Sequence, residues 1–197
     1  MSKTTSLLVS LCAVAASGCA GIQTAENTVD AKTLDETRAV AGQLTTQLGA
    51  RLKAEMSSNG PESAVGVCKQ AAPEISAKLS AEKGWQVGRV GTRVRNAATN
   101  TPNIWQQEAL KQFADRLAKG EKPDTMEYTQ VESDAYGKTL RYAKAIVVQP
   151  VCVTCHGTPE SIPEGVKARI KQEYPGDQAI GYQVGELRGA VVIRRPF

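Results

Sequence analysis

The chain has 197 residues, of which 41% are hydrophobic, and this is enough to bury the core of one domain. Its formal net charge is +4, and removal of Lys3 with the N-terminal segment described below leaves +3. A charge this small excludes an electrostatic argument for nucleic-acid binding. The pattern also contains no internal repeat and no sign of a second domain.

The first 19 residues have the three parts of an export signal. Lys3 supplies a positive start, residues 7–16 are apolar, and small residues then lead to Cys19. The apolar stretch is too short to span a bilayer as a mature helix. A cysteine directly after small residues resembles a bacterial lipobox, in which Cys19 becomes the lipidated N-terminus. An ordinary signal peptidase site nearby is the alternative, because Ala16 stands where leucine is usual.

Export places the mature chain on the periplasmic side of the cell envelope. Ala20 is not the acidic residue that retains lipoproteins in the inner membrane, so we expect an outer-membrane lipoprotein. Residues 20–30 are small and polar and predict a flexible tether between the lipid and the domain. The domain itself is then expected over residues 31–197.

Helices are predicted in the first half of the domain. From Asp30, apolar residues recur at helical spacing until Asn59-Gly60-Pro61 ends the first helix. A second helix is expected over residues 61–83, with a break near residues 71–72 because Pro73 cannot donate a helical hydrogen bond. A third helix is expected from Ile104 to Leu117.

Strands dominate the second half. Residues 86–95, 127–133, 140–148 and 189–194 are rich in β-branched residues or alternate between apolar and polar side chains. Gly137-Lys138 predicts the turn of a hairpin, and residues 163–173 predict a short helix. Helices followed by a small antiparallel sheet indicate an α+β fold.

The most specific motif is Cys152-Val153-Thr154-Cys155-His156. A Cys-x-x-Cys-His sequence is the attachment motif of c-type haem, in which both thiols bond to haem vinyl groups and the histidine binds iron. A redox disulfide and half of a zinc site are the alternatives. A zinc site usually needs four ligands, and after export only Cys68 would be available as a further Cys or His ligand besides these three. A redox disulfide is expected in a βαβ setting that is not visible here. One covalent haem c is therefore the expected cofactor.

The sixth ligand of the iron is an open question at this point, because His156 is the only histidine. Of five cysteines, Cys12 leaves with the signal, Cys19 takes the lipid, and Cys152 and Cys155 take the haem. Cys68 is left over, and a coordinating thiol is readily deprotonated. The other candidates are Met56, Met126, a lysine, a tyrosine, water, or no ligand.

The chain resembles a bacterial family of PAS-like haem c domains with His/Cys ligation of the iron. The resemblance covers residues 40–195 and is carried by segments in the same order: 64–75, 89–105, 152–157, 170–182 and 185–189. It implies that the small antiparallel sheet with N-terminal and flanking helices is PAS-like. It also implies that Cys68 is the distal iron ligand, opposite His156. The chain has no signalling output region, so it is similar to the stand-alone form of the family.

These expectations favour a redox or gas sensor, or an electron carrier, with a low-potential haem. Its partner is then a redox protein or a small diatomic molecule. A high-potential carrier with Met/His ligation is the alternative. A peroxidase or a sulfur-oxidising enzyme is less favoured, because no second histidine is present to act as a distal acid or base.

Several further residues have two interpretations. Four arginines could pair with haem propionates or lie at exposed strand ends: Arg89, Arg93, Arg95 and Arg188. Four aromatic residues could line a haem pocket or fill the core: Trp85, Trp105, Tyr174 and Tyr182. Asp177 and Glu186 could form an acid–base pair, although exposed turns are the simpler interpretation.

Overall fold

A computed structural model describes residues 28–197, and it places six α-helices and four strands in that range. The predicted signal segment, Cys12, Cys19 and most of the predicted tether lie outside the described residues. None of the helices within residues 28–197 is both long and apolar enough to cross a bilayer.

The first helix, α1, is Ala31–Lys69. It begins at Asp30, whose carboxylate accepts a hydrogen bond from the Thr33 amide at 2.9 Å. The predicted stop at residues 59–61 is a kink, because Gly60 adopts a positive φ of 82° and Pro61 lets the helix resume at once. The predicted break near Pro73 lies at Gln70, after which α2 continues as Ala71–Lys83.

The four strands form one antiparallel sheet in the order β1-β4-β3-β2. They are β1, Gln86–Gly91; β2, Glu127–Asp134; β3, Gly137–Val147; and β4, Leu187–Pro196. The fold is therefore α+β, as the sequence predicted.

Two strand boundaries differ from the prediction. β1 ends at Gly91 rather than at residue 95, because the Arg93 amide turns toward the Tyr182 hydroxyl instead of continuing the ladder. The hairpin turn is formed by Ala135 and Tyr136, since Asp134 already pairs with Gly137. The Asp134 carboxylate stabilises that turn by accepting a hydrogen bond from the Tyr136 amide at 2.8 Å.

Shorter helices connect the strands. They are α3, Ala97–Asn100; α4, Ile104–Ala118; α5, Val153–His156; and α6, Glu164–Glu173. In α4, Asn103 and Gln106 form a capping box, which explains why the predicted helix begins where it does. Single 3₁₀ turns precede β2 and α5.

The sheet is covered on both faces. Leu44 of α1 and Leu79 of α2 pack with Tyr142 and Ile193 on one face, whereas Phe113 of α4 packs with Ala143 and Val192 on the other. Neighbouring residues of one strand thus enter opposite cores, as the two-residue period of a strand requires. The fold therefore fixes which helix each strand side chain contacts.

We expect Gly189→Ala to destabilise the sheet. Gly189 has a φ of +157°, and a Cβ atom at this position would overlap the Val90 carbonyl oxygen of the paired strand. The free energy of unfolding should fall by more than about 1 kcal/mol, because Ala is incompatible with this backbone. Urea denaturation followed by circular dichroism measures it.

Gly88→Ala is the matched control for this prediction. Gly88 lies in β1, has no positive φ, and has open space around a built Cβ atom. Its substitution should leave stability unchanged or raise it slightly. Equal losses in the two variants would contradict the role assigned to Gly189.

Candidate functional site

One cavity brings together the four residues that the sequence predicted to hold and ligate a haem. Cys68 near the end of α1, Cys152, Cys155 and His156 all line it. The space between its lining atoms, including the open side, is about 960 Å³. A site formed from such distant parts of the chain is a product of the fold.

The walls of this cavity are mostly apolar. They include Leu48, Leu52, Met56, Val65, Val94 and Ile146. In the described part of the chain the lining has no carboxylate, and its only imidazole is His156. An apolar cleft with a few polar groups suits a flat, largely hydrophobic ligand.

His156 is oriented by a backbone carbonyl. Its Nδ1 lies 2.6 Å from the Ala179 carbonyl oxygen, which can only accept, so Nδ1 carries the proton and Nε2 keeps its lone pair. Burial lowers the pKa of His156 well below its ordinary value, and the positive charges of Arg95 and Arg188 lower it further. A neutral imidazole with one nitrogen held by a carbonyl is the usual arrangement of a metal-ligating histidine.

The Ala179 carbonyl is itself held in place by a buried ion pair between Arg95 and Asp177. The Arg95 guanidinium donates to both carboxylate oxygens at 3.0 Å, and both side chains are less than one-tenth exposed. Arg95 also donates to the carbonyl oxygens of Cys155 at 2.6 Å and Ala179 at 3.2 Å. Asp177 accepts from the Ala179 amide at 2.9 Å. The pair therefore connects α5 to the segment that orients His156.

The residues after Ala179 hold α5 from the same side. The amides of Gly181 and Tyr182 donate to the carbonyl oxygens of Gly157 at 2.6 Å and His156 at 2.9 Å. The Tyr182 ring lies perpendicular to the His156 ring, with 6.2 Å between the centroids. Its hydroxyl bonds Thr92 at 2.7 Å. The segment 177–182 thus fixes α5 against the end of β1.

The three cysteines in residues 28–197 are free thiols: Cys68, Cys152 and Cys155. Burial raises the pKa of Cys155 to about 11, so this thiol is neutral at neutral pH. Two thiols on one helical turn beside a histidine fit the attachment geometry of haem c. No group of three or more His, Cys, Asp or Glu side chains in the same residues is arranged to hold a metal ion.

The two candidate methionine ligands are in different places. Met56 lines the cavity. Met126 is fully buried in the core between α4 and the sheet, where it packs with Phe113 and Leu110. Of these two methionines, Met56 is therefore the one in a position to compete with Cys68.

The aromatic candidates also divide. Tyr182 contacts His156, and Tyr174 packs in a small cluster beside Cys155. Trp85 lies under Arg195, and Trp105 stacks on Tyr128, both away from the cavity. The two tryptophans are therefore structural or surface residues.

Asp177 and Glu186, for which an acid–base pair was one of two interpretations, each pair with an arginine instead. Asp177 pairs with Arg95, and Glu186 pairs with Arg93 at 3.0 Å in a more exposed position. Asp177 is thus a buried partner of Arg95, whereas its sequence context suggested an exposed turn residue. No local signal reveals this, because the two members of its pair are far apart in the chain.

We expect Asp177→Asn to destabilise the protein by about 3 kcal/mol, because it leaves the buried Arg95 charge without its partner. Urea denaturation gives the value. In the control Glu186→Gln, the ion pair is exposed, and its loss should cost about 1 kcal/mol or less. Similar values for the two variants would show that the buried pair has no special role.

Comparison with known proteins supports the same fold. The sequence model of the Tll0287-like family matches residues 22–196. A crystal structure of the cyanobacterial haem protein Tll0287 matches with a TM-score of 0.64 and 25% sequence identity, over 85% of this chain and 97% of that one. No protein of curated function matches. The family match spans nearly all of the chain, which therefore belongs to the Tll0287-like family.

Proposed function

We propose that this chain is a monohaem c-type cytochrome of the cell envelope with a PAS-like domain. Cys152 and Cys155 bond to the haem, His156 binds the iron on the proximal side, and Cys68 binds it on the distal side. The observation that carries the proposal is that all four side chains line one apolar cavity. The resemblance to a protein described as a haem protein supports the choice of cofactor.

Cys68 suits the distal position because it comes from a separate element. It follows the Gly60 kink, which redirects the last part of α1, and it lines the same cavity as His156. A thiolate is an anionic ligand that iron keeps deprotonated. Met56 is the competing ligand, and it would make the protein a Met/His electron carrier of higher potential.

When bound, haem supplies a one-electron Fe(III)/Fe(II) couple. The Cys68 thiolate would stabilise the ferric state and keep the potential low. Release of Cys68 on reduction would open the sixth position to a diatomic gas, which is a local switch of the kind that sensors use. We therefore propose redox or gas sensing, or electron transfer to a redox protein. The lipid at Cys19 would hold the domain at the outer membrane.

A haem enzyme is less well supported. Peroxidase or sulfur-oxidation chemistry needs an acid or base beside the open face of the iron. In the described part of the chain the cavity lining offers no carboxylate and no second imidazole for that role. We therefore propose a protein without enzymatic activity.

Covalent attachment can be tested directly. In protein matured in a periplasm, haem should remain on the chain in a denaturing gel, because thioether bonds survive unfolding. Cys152→Ala combined with Cys155→Ala should abolish the haem stain on the gel. A parent protein that loses its haem on unfolding would contradict c-type attachment.

The ligation proposal predicts a specific spectroscopic change. The ferric parent should give a low-spin thiolate signal in electron paramagnetic resonance, and Cys68→Ala should lose it and shift the midpoint potential upward. Electron paramagnetic resonance and optical spectra of the two proteins measure the signal, and a redox titration of each measures the midpoint potential.

Met56→Leu is the matched control, because Met56 lines the same cavity and leucine keeps a similar volume. It should leave the thiolate signal intact. A low-spin signal that survives Cys68→Ala but disappears in Met56→Leu would instead support the Met/His carrier. A high-spin parent would mean an open iron and would turn attention to gas binding or catalysis.

A further inference from the structure

Two arginines in the cavity wall have no acidic partner among the residues that the structure describes. Arg89 of β1 and Arg188 of β4 both line the cavity. Arg93 and Arg95, in contrast, pair with Glu186 and Asp177. Within residues 28–197, no carboxylate forms an ion pair with Arg89 or Arg188.

These two guanidinium groups are in an unfavourable environment. Burial lowers the pKa of both, and the positive charges of Arg95 and Arg89 lower that of Arg188 further. Both side chains are partly buried, and a charge partly removed from water is costly unless it is paired. Since the described lining contains no carboxylate, the missing negative charge is expected from whatever the cavity binds.

Arg188 is held in place as part of a binding site would be. Its Nη1 donates to the Arg93 carbonyl oxygen at 3.1 Å and lies 2.8 Å from where a Cβ atom of Gly91 would be. The same Cβ atom would lie 2.9 Å from the Arg93 carbonyl oxygen, so glycine at position 91 suits this close approach of the backbone. Gly91 pairs directly with Gly189, the neighbour of Arg188, so the two strands present Arg89 and Arg188 at the same end of the sheet.

We propose that Arg89 and Arg188 bind the two propionate carboxylates of the haem. This proposal rests on the haem c function proposed above. Thioethers at Cys152 and Cys155 use the vinyl groups, which leaves both carboxylates available to side chains from β1 and β4. A guanidinium fork matches a carboxylate in shape and charge. The arginines would then fix the orientation of the ring and add positive charge near the iron.

A small anion bound in a second pocket is the alternative negative partner for Arg89. Cys68, Arg89 and Asn100 also line this second pocket, together with Ser76 and Thr99. A small diffusible anion in this pocket would neutralise Arg89 without a propionate. The two sources make different predictions, and one experiment separates them.

The test uses the periplasmically matured holoprotein with Arg89→Gln and Arg188→Gln, and Arg169→Gln as control. Arg169 lies on α6, is partly exposed, and pairs with Glu173 at 2.8 Å. Resonance Raman spectra report the propionate bending modes, and redox titration gives the midpoint potential. Each cavity variant should shift a propionate mode and lower the potential, because loss of a positive charge favours ferric iron. The control should change neither.

Lysine variants test whether the effects of the glutamine variants come from misfolding or from loss of the guanidinium group. Arg89→Lys and Arg188→Lys keep the charge but lose the fork, so they should recover part of the potential while the propionate mode stays shifted. Unchanged propionate modes in both glutamine variants, on protein that still carries covalent haem, would overturn this inference alone. A parent without covalent haem would instead refute the proposed function.

Added nitrate distinguishes a haem propionate from a small diffusible anion as the partner of Arg89. If Arg89 binds a propionate, added nitrate should not change the potential of the parent beyond its effect on Arg89→Gln. If nitrate shifts the parent but not Arg89→Gln, and the propionate mode is the same in both, Arg89 binds a diffusible anion. That result would overturn the assignment of Arg89.

Discussion

The proximal side of the site depends on one buried ion pair, between Arg95 and Asp177. It joins three stretches of chain that are far apart in sequence: the segment after β1, the α5 helix, and the segment 177–182. Since a buried charge without its partner is costly, these stretches become ordered together. The orientation of His156 is therefore a consequence of tertiary folding, although the Cys-x-x-Cys-His motif itself is local.

The sheet places the distal side of the site. α1 packs on one face of the sheet through Val40 and Leu44, and the kink at Gly60 then redirects the segment that carries Cys68. That segment packs against α6 through Val65, so it is fixed to an element that follows the haem motif. The proximal wall is thus held by an ion pair and the distal wall by apolar packing, and Cys155 packs against the same apolar cluster as Val65.

Features with a local cause were predictable from the sequence. Asn59-Gly60-Pro61 marked the interruption of α1, apolar residues at helical spacing from Ile104 to Leu117 marked α4, and β-branched or alternating side chains marked β3 and β4. The end of β1 was not predictable, because it depends on a hydrogen bond from Arg93 to the distant Tyr182. The separation of Met56 from Met126 was equally hidden, since both are methionines in apolar surroundings and only the packing places one of them in the core.

The charged groups around the cavity would influence the midpoint potential of a haem bound there. His156 donates to a carbonyl oxygen rather than to a carboxylate, so its partner adds no full negative charge to the imidazole. The carboxylate of Asp177 is already neutralised by Arg95. On the proposed ligation, the charge balance at the iron therefore depends mainly on the Cys68 thiolate and on Arg89 and Arg188. Of these three groups, only Cys68 is a proposed iron ligand. Its release would therefore change the net charge beside the haem as well as the coordination of the iron.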